Sequence, residues 1–534
     1  MKRYRVACAA AFLVALIAVC ALAAPRGKGG RARREKQDAG VGDKLAKISL
    51  NKAVEVKIPA LADDLKPKVF QTADGKRGWA IKIPGERPIA TPAYADGTIF
   101  VGGGYGSHEF YAFDAETGAL RWKMKTSDDG PSAAVVEDGF VAFNTESCTL
   151  VVADAKTGKV VWEQWLGDPL MSQPAISKGR VYMAYPSGQR GGGVGAANHI
   201  SQSAKLNHHL HPAPQQAATQ EQNGAAQEPK GSHKLLCADL KTGQHIWEQT
   251  ITADVISAPI VSGEQIYFTC FDGTSYSLNA RDGSIAWKKE NAGTSAPVVA
   301  AGQVVLTQKE QRGDKSYEGL KQLDAKAGTD KDDKLLAGEK AAYLDENKGG
   351  GVALGEAAQA ILDSSVGFGN APAAAQLGTA NRHIGVRTVA GGWAYQGSRA
   401  AYSRGRMLNA QGKYLNSINA SDGRFAWRAE VSGAGLGADA QVFSPPALGD
   451  QYMYLSSSLG HILSVRQRDG EVGFMYSFGQ PMVFQPALAD GNVYVGTSNG
   501  LLICLKTGET DADGWYAWGG NAEHNKTEHG KKNN

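Results

Sequence analysis

The sequence is poor in cysteine for its length. Six cysteines occur in 534 residues, and no two are adjacent or separated by two residues. That spacing excludes c-type haem attachment and a zinc ribbon, and so few thiols in so long a chain are not a disulfide framework. Cys8 and Cys20 fall in the N-terminal segment. Cys148, Cys237, Cys270 and Cys504 remain, mostly on strand-like stretches, where a buried, inert thiol is expected. Charge of one sign is also lacking. The formal net charge is +4, and Lys2, Arg3 and Arg5 supply three of those charges. The remainder is near neutral, which leaves no general electrostatic case for nucleic acid as a partner.

Long apolar runs are missing as well. The run from Val6 to Val19 is too short to span a bilayer, follows the basic Lys2, Arg3 and Arg5, and precedes Ala21-Leu22-Ala23. This is the order of a secretory signal peptide over 1–23, cut after Ala23. Ile17-Ala18-Val19-Cys20 offers lipidation at Cys20 as the alternative, with Val19 where a small residue is wanted. The mature chain is therefore expected in the periplasm or cell envelope, with no transmembrane helix.

What is present is glycine (66 residues, against 20 prolines) and a repeat. Asp114-Ala115-Glu116-Thr117-Gly118 leads to Trp122, and Asp154-Ala155-Lys156-Thr157-Gly158 leads to Trp162. The frame returns as Asp239 to Gly243 with Trp247, Asn279 to Gly283 with Trp287, and Asn419 to Gly423 with Trp427. In every copy the Gly stands four residues before the Trp and the Asp or Asn eight before it. Upstream of these units lie strand–turn–strand stretches such as Thr91-Pro92-Ala93 to Gly102 and Gln485-Pro486-Ala487 to Gly496. An apolar strand, an Asp-Gly or Lys-Gly turn and an alternating strand make a hairpin. One repeat is thus a four-stranded antiparallel meander of about 40 residues, the size of a propeller blade.

Counting such units predicts an all-β, eight-bladed β-propeller over 69–519. Blades begin near residues 89, 131, 171, 256, 295, 397, 442 and 484. The seventh carries Phe474 where Trp is expected, and the eighth has no Trp after Gly508. Gly78-Trp79-Ala80-Ile81-Lys82 reads as an orphan outer strand whose pairing with the last blade would close the ring and remove a free edge. The glycines supply positive φ in the turns. The register of Trp79, Trp122, Trp162, Trp247, Trp287 and Trp427 assigns them to packing between neighbouring blades.

Two insertions interrupt the pattern, at 186–232 and 326–396. The first is rich in Gly, Ala, Gln and His. His208, His209 and His211, with His199 and His233 nearby, are its metal-ligand candidates, set against the plainer reading of a polar loop. In the second, Lys334 to Lys348 and Gly355 to Leu362 have helical character. Residues 24–68, basic at first through Arg26, Lys28, Arg31, Arg33 and Arg34, read as a solvated linker. The stretch Trp515 to Asn521 is expected to pack back on the ring, with 520–534 a polar tail.

The Asp-Ala-x-Thr-Gly-x-x-x-Trp units resemble the PQQ-like β-propeller repeat of quinoprotein alcohol dehydrogenases and of the BamB-like branch of envelope proteins. The resemblance spans nearly all of 78–519. The dehydrogenase side of the family implies PQQ in the central channel, calcium held by carboxylate and amide oxygens, and an Asp as base. Many such enzymes carry a disulfide between adjacent cysteines, and this sequence has no Cys-Cys pair. No Glu–Asn–Asp calcium set can be matched residue by residue. The BamB-like side implies an exported, non-catalytic binding scaffold without cofactor, whose partner is a protein or an envelope polymer. The scaffold is the favoured expectation, with a PQQ- and calcium-dependent dehydrogenase of alcohols or sugars as the alternative.

Overall fold

The computed structural model describes residues 46–104, 106–128, 130–145, 148–166, 172–186, 233–312, 315–332, 335–340, 400–436 and 442–527. They form eight sheets of four or five strands, each a four-stranded antiparallel meander that in three cases carries one added outer strand. Blade 1 is typical, with strands Ala93–Ala95, Thr98–Gly102, Glu109–Asp114 and Leu120–Lys125 in meander order from the inside out. The innermost strands neighbour one another in sequence, and Ala487–Ala489 of blade 8 returns to Ala93–Ala95, so the ring closes. Apolar residues alternate to fill the spaces between blades: Ile99, Val101, Tyr111 and Phe113 of blade 1 pack with Trp79, Tyr494 and Leu502 of blade 8.

Blade 8 is built from both ends of the chain. Its inner strands are Ala487–Ala489, Asn492–Gly496 and Leu501–Lys506, and its fourth strand is Arg77–Lys82. Trp79 lies opposite Cys504, the register in which Trp247 lies opposite Cys237 within blade 3. The tryptophan missing after Gly508 is thereby supplied from the N-terminal side. Lys68–Gln71 adds a fifth strand outside it.

Three expectations change on contact with the structure. Residues read as solvated linker contribute strands: Ala46–Ser49 pairs in parallel with the outer strand of blade 6, and Val54–Glu55 with that of blade 7. They cover outer edges whose N–H and C=O groups would otherwise face water. Second, Leu336–Lys340 is the fourth strand of blade 5, where helical character was expected. The free edge of Lys315–Asp324 accepts it, and tertiary pairing overrides local propensity. The insertion therefore follows a complete blade rather than starting at 326. Third, residues 520–527, expected as polar tail, are packed inside the ring. The signal peptide and most of both insertions lie outside the described residues.

In a meander, alternate connections fall on opposite faces. The turns between first and second and between third and fourth strands share one face, the turn face. The connections between second and third strands, and from blade to blade, lie on the other. Pro186 and His233, which flank the first insertion, and Lys340 and Ala400, which flank the second, all lie on that other face.

Candidate functional site

Six of the eight joints between blades share one contact. In the Asp-x-x-Thr-Gly turn, the Thr157 N–H and hydroxyl donate to Asp154 Oδ1 at 2.8 and 2.6 Å, and the Gly158 N–H donates to the Asp154 carbonyl. The Thr157 bonds hold the Asp154 carboxyl below its ordinary range. Gly158 has φ +70°, and a Cβ there would lie 2.5 Å from the Trp122 ring of the preceding blade. The glycine therefore serves twice, for the turn and for the indole that lies against it.

The same docking joins Trp79 to Gly118, Trp162 to Gly243, Trp247 to Gly283, Trp287 to Gly328 and Trp427 to Gly470. In each case the indole N–H donates to a carbonyl of the next blade's turn: Ala115, Ala155, Leu240, Ala280, Ala325 or Gln467, at 2.8 to 3.2 Å. Gly423 receives no tryptophan. Leu336, four residues later in its repeat than a Trp would stand, approaches it instead. Leucine brings no N–H, and the Ala420 carbonyl is met by Gln322 Nε2 and Lys331 Nζ, both at 3.3 Å. At the last joint Phe474 packs against Tyr454 and Tyr476, and nothing lies against Gly508. These tryptophans and glycines are brought into the joints between blades, not to a ligand site.

The axis of the ring is where the family resemblance placed chemistry, and the C-terminal segment occupies it. The middle residue of each inner strand sits at a non-hydrogen-bonded position of its hairpin, so its N–H and C=O point toward the axis. Residues 515–525 meet them. Leu488 N donates to the Trp515 carbonyl at 2.7 Å, and Trp515 N to the Leu488 carbonyl at 3.1 Å. Tyr94 N donates to Tyr516 O, Ile176 N to Ala522 O and Val261 N to Glu523 O, at 2.7, 2.8 and 3.0 Å. The Asn525 amide makes a two-way pair with the Val299 backbone, both bonds 3.0 Å.

The segment thus spans blades 8, 1, 3, 4 and 5. Its side chains finish the closure. Trp518, 1% exposed, donates from its indole to Gln173 and stacks on His524 at 3.8 Å. His524 is in turn set between the carbonyls of Trp518 and Pro174, each 2.9 Å from a ring nitrogen. Burial pushes its pKa down to about 4, against those two carbonyls. The sequence expectation has Trp515 to Asn521 packing back on the ring; their place on the axis, and its continuation through Asn525, goes unread because single bonds to successive blades leave no period-two pattern.

Among the described residues, titratable groups elsewhere make no metal site. The four thiols are free and buried, and burial pushes them all up, Cys237 to about 12. His208, His209 and His211 lie outside the described residues. His233 begins the third strand of blade 3, and burial pushes its pKa to about 4. Among the described residues no group of three or more His, Cys, Asp or Glu side chains is placed to hold a metal ion. Nor, among them, is any helix long and apolar enough to cross a membrane.

Eight blades of four or five strands, locked Trp-on-Gly at six of their eight joints, define a PQQ-like β-propeller. The chain belongs to the family described as outer membrane protein assembly factor BamB, which matches residues 68–230, 218–346 and 371–510. It is 24% identical over 227 residues to outer membrane protein assembly factor BamB of Yersinia pestis, covering 38% of this chain and 57% of the relative. To the protein of that name from Shewanella oneidensis it is 26% identical over 231 residues, covering 38% and 56%. The matches thus span little more than half the length of these relatives. Among solved structures it is similar to BamB from Moraxella catarrhalis (12% identity, TM-score 0.46, 82% of this chain and 98% of the other). It is also similar to quinohemoprotein alcohol dehydrogenase from Comamonas testosteroni (12% identity, TM-score 0.46, 81% and 76%).

Proposed function

We propose that this chain is an exported, non-catalytic β-propeller that serves as a binding scaffold in the bacterial cell envelope, in the outer membrane protein assembly for which its family is named. The observation that carries the reading is the occupied axis. A quinone cofactor of the PQQ type needs a flat open slot and, with its calcium, convergent oxygens. At the level of the inner strands this ring instead presents the Trp515 and Trp518 indoles, the His524 ring and backbone already paired. Glu137, Glu523, Asp490 and Asp513 are acidic side chains near that segment, but among the described residues no three His, Cys, Asp or Glu are grouped to hold a metal ion. The residues there do not fit the group. Freedom from PQQ and calcium is accordingly part of the proposal, and the dehydrogenase alternative is not carried forward.

A scaffold needs surface rather than a slot, and the residues flanking the two insertions, Pro186, His233, Lys340 and Ala400, lie together on one face of the ring. Loops on a rigid frame are where recognition is placed in such folds. The nature of the partner, a protein rather than an envelope polymer, follows from the family's name and is equally part of the proposal.

The experiment is in two arms. Calorimetric titration of the full chain with PQQ, with and without calcium, is expected to give no saturable heat; stoichiometric calcium-dependent binding would return the protein to the dehydrogenases. Deleting the gene is expected to lower the amount of outer-membrane proteins in the membrane fraction. An unchanged outer-membrane profile would remove the assembly role.

A further inference from the structure

The turn face, opposite the residues that flank the insertions, carries an open groove of about 540 Å³ between blades 6 and 7. Three turns wall it: Ser403 to Arg406 of blade 6, and Asp450-Gln451 and Arg466 to Arg468 of blade 7. One of these residues breaks the repeat. The position four before the turn glycine holds Asp114, Asp154, Asp239, Asn279, Asp324 and Asn419 in blades 1 to 6. In the first five the side chain accepts a backbone N–H of its own turn. Blade 7 has Arg466 there. An arginine accepts nothing, and Asp469 takes over as the cap, accepting from Glu471 N at 3.3 Å. The turn keeps its form, with Gly470 N donating to the Arg466 carbonyl at 2.9 Å. Nothing in the turn calls for the arginine.

Three more guanidiniums line the same groove, those of Arg404, Arg406 and Arg468. Arg406 is accounted for by the fold: its Nη1 donates to the Gln467 and Arg468 carbonyls at 3.3 and 2.8 Å, as Arg180 does to Ala280 and Arg281 at the blade 3–4 joint. Among the described residues it meets no carboxylate. Arg404 pairs with Asp450, Arg466 with Asp469 and Glu471, and Arg468 with the same Asp469 at 3.3 Å. Asp511, behind Gln451, is spent on Gln451 N, Tyr452 N and the Tyr454 hydroxyl. Four guanidiniums thus share three carboxylates, all on exposed residues. Each guanidinium has five N–H donors, more together than these partners take up.

Such a lining calls for an anion, and the groove shows the kind its forks hold. Arg466 grips Asp469 through Nε and Nη2, both at 2.9 Å, a two-pronged bond to a planar carboxylate. We infer that this groove docks an acidic segment of a partner protein, its Asp or Glu side chains set on Arg406 and Arg468 and replacing Asp450 on Arg404. The Arg404–Asp450 pair is exposed at both ends, so water and salt already weaken it and exchange costs little. A bilayer presents its charges in a plane, whereas these arginines stand around a recess, which suits a chain that enters it. The inference rests on the scaffold reading only in taking the partner to be a protein. It gives the ring a docking surface on the face away from the insertions.

The test is calorimetric titration of the full chain with tetraglutamate blocked at both ends, so that its only charges are side-chain carboxylates. At pH 7 and ~50 mM salt, where screening is modest, one saturable site is expected, and none for blocked tetraglutamine. Arg466→Asn supplies the residue type of Asn279 and Asn419, so the turn should hold. It should weaken binding about fivefold or more, and so should Arg404→Gln combined with Arg468→Gln, two exposed positions that the fold does not need. Absence of saturable binding up to ~5 mM peptide, or wild-type affinity in both variants, would overturn the inference. Binding to vesicles of anionic phospholipid without binding to the peptide would give the groove to a membrane and overturn it too. The outer-membrane profile after gene deletion is a separate readout, so this groove and the assembly role can fail independently.

Discussion

The indole of Trp79 lies against Gly118 and donates to the Ala115 carbonyl at 3.2 Å, so a strand near the start of the chain, built into the last blade, clasps the first. Trp79 is 1% exposed and is the joint at which the ring closes.

Gly118→Ala should therefore do more harm than an alanine in an ordinary turn. Its Cβ would meet Trp79 Cδ2 at 2.8 Å, with φ at +74°. Gly139 has φ +79° and nothing within 4 Å of the same atom. Both variants bear about 1–2 kcal/mol of left-handed strain, and Gly118→Ala adds about 1–3 kcal/mol of overpacking. Urea unfolding of the two gives the difference directly; equal losses would mean that the Trp79 contact is soft.

Trp122→Ala and Trp287→Ala should each cost about 3–5 kcal/mol, the loss of a large ring from a packed joint. Trp79→Ala should match or exceed them because it also loosens closure. Thermal melts of the three variants provide the check, and unchanged melting of Trp122→Ala and Trp287→Ala would contradict the packing role.

At the blade 5–6 joint, the Ala420 carbonyl has two donors in place of one indole. Lys331→Met alone should cost under about 1 kcal/mol, since Gln322 remains. Gln322→Leu with Lys331→Met should lose more than the sum of the two single changes, because the carbonyl is then buried unpaired. Simple additivity in a double-mutant cycle would show that the Gln322 amide and the Lys331 ammonium are not alternatives.

Deleting 515–534 should lower the melting temperature while leaving the β-sheet circular dichroism in place. The deletion removes two buried indoles, each worth about 3–5 kcal/mol, and unpairs inner-strand groups of five blades. A truncated chain that melts like the full one would show that the segment merely rests in the channel.

Acid should weaken the fold before the carboxylates titrate. His233 and His524 are held neutral by burial, with pKa values pushed down to about 4. An unfolded imidazole takes its proton near 6.5, so the unfolded state binds more protons between those values. Stability should fall as pH drops from about 6.5 to 4, by up to about 3 kcal/mol for each ring. His233→Gln should flatten that slope in denaturant melts at pH 7, 6, 5 and 4; an unaltered slope would assign it elsewhere.

The repeats are legible because the indole needs its glycine at a fixed distance, and that demand writes Gly, Trp and their spacing into the chain. Trp79 was readable as a strand without a blade for the same reason. Leu336 was not, because a turn longer by four residues breaks the spacing, and two other side chains took over the missing N–H. Ala46–Ser49 and Val54–Glu55 are four and two residues long, too short for alternation to register. The aromatic residues of 515–518 marked the C-terminal stretch as packed on the ring, but not its course along the axis, since its bonds run to a different blade at nearly every step. Its role depends on where the ring brings those blades, and no local pattern encodes that.

The composite last blade also sets an order of events. A polypeptide is made from its N-terminus, so Arg77–Lys82 emerges early with only Lys68–Gln71 beside it, a lone hairpin, until Leu501–Lys506 follows. Ala46–Ser49 and Val54–Glu55 likewise wait for blades 6 and 7. Contacts so distant in sequence form late and slowly. A chain cut short before blade 6 leaves all of these early strands stranded at once, and one cut anywhere before Leu501 still strands Arg77–Lys82, so an incomplete copy advertises itself to proteases and chaperones, and only a finished one is sealed.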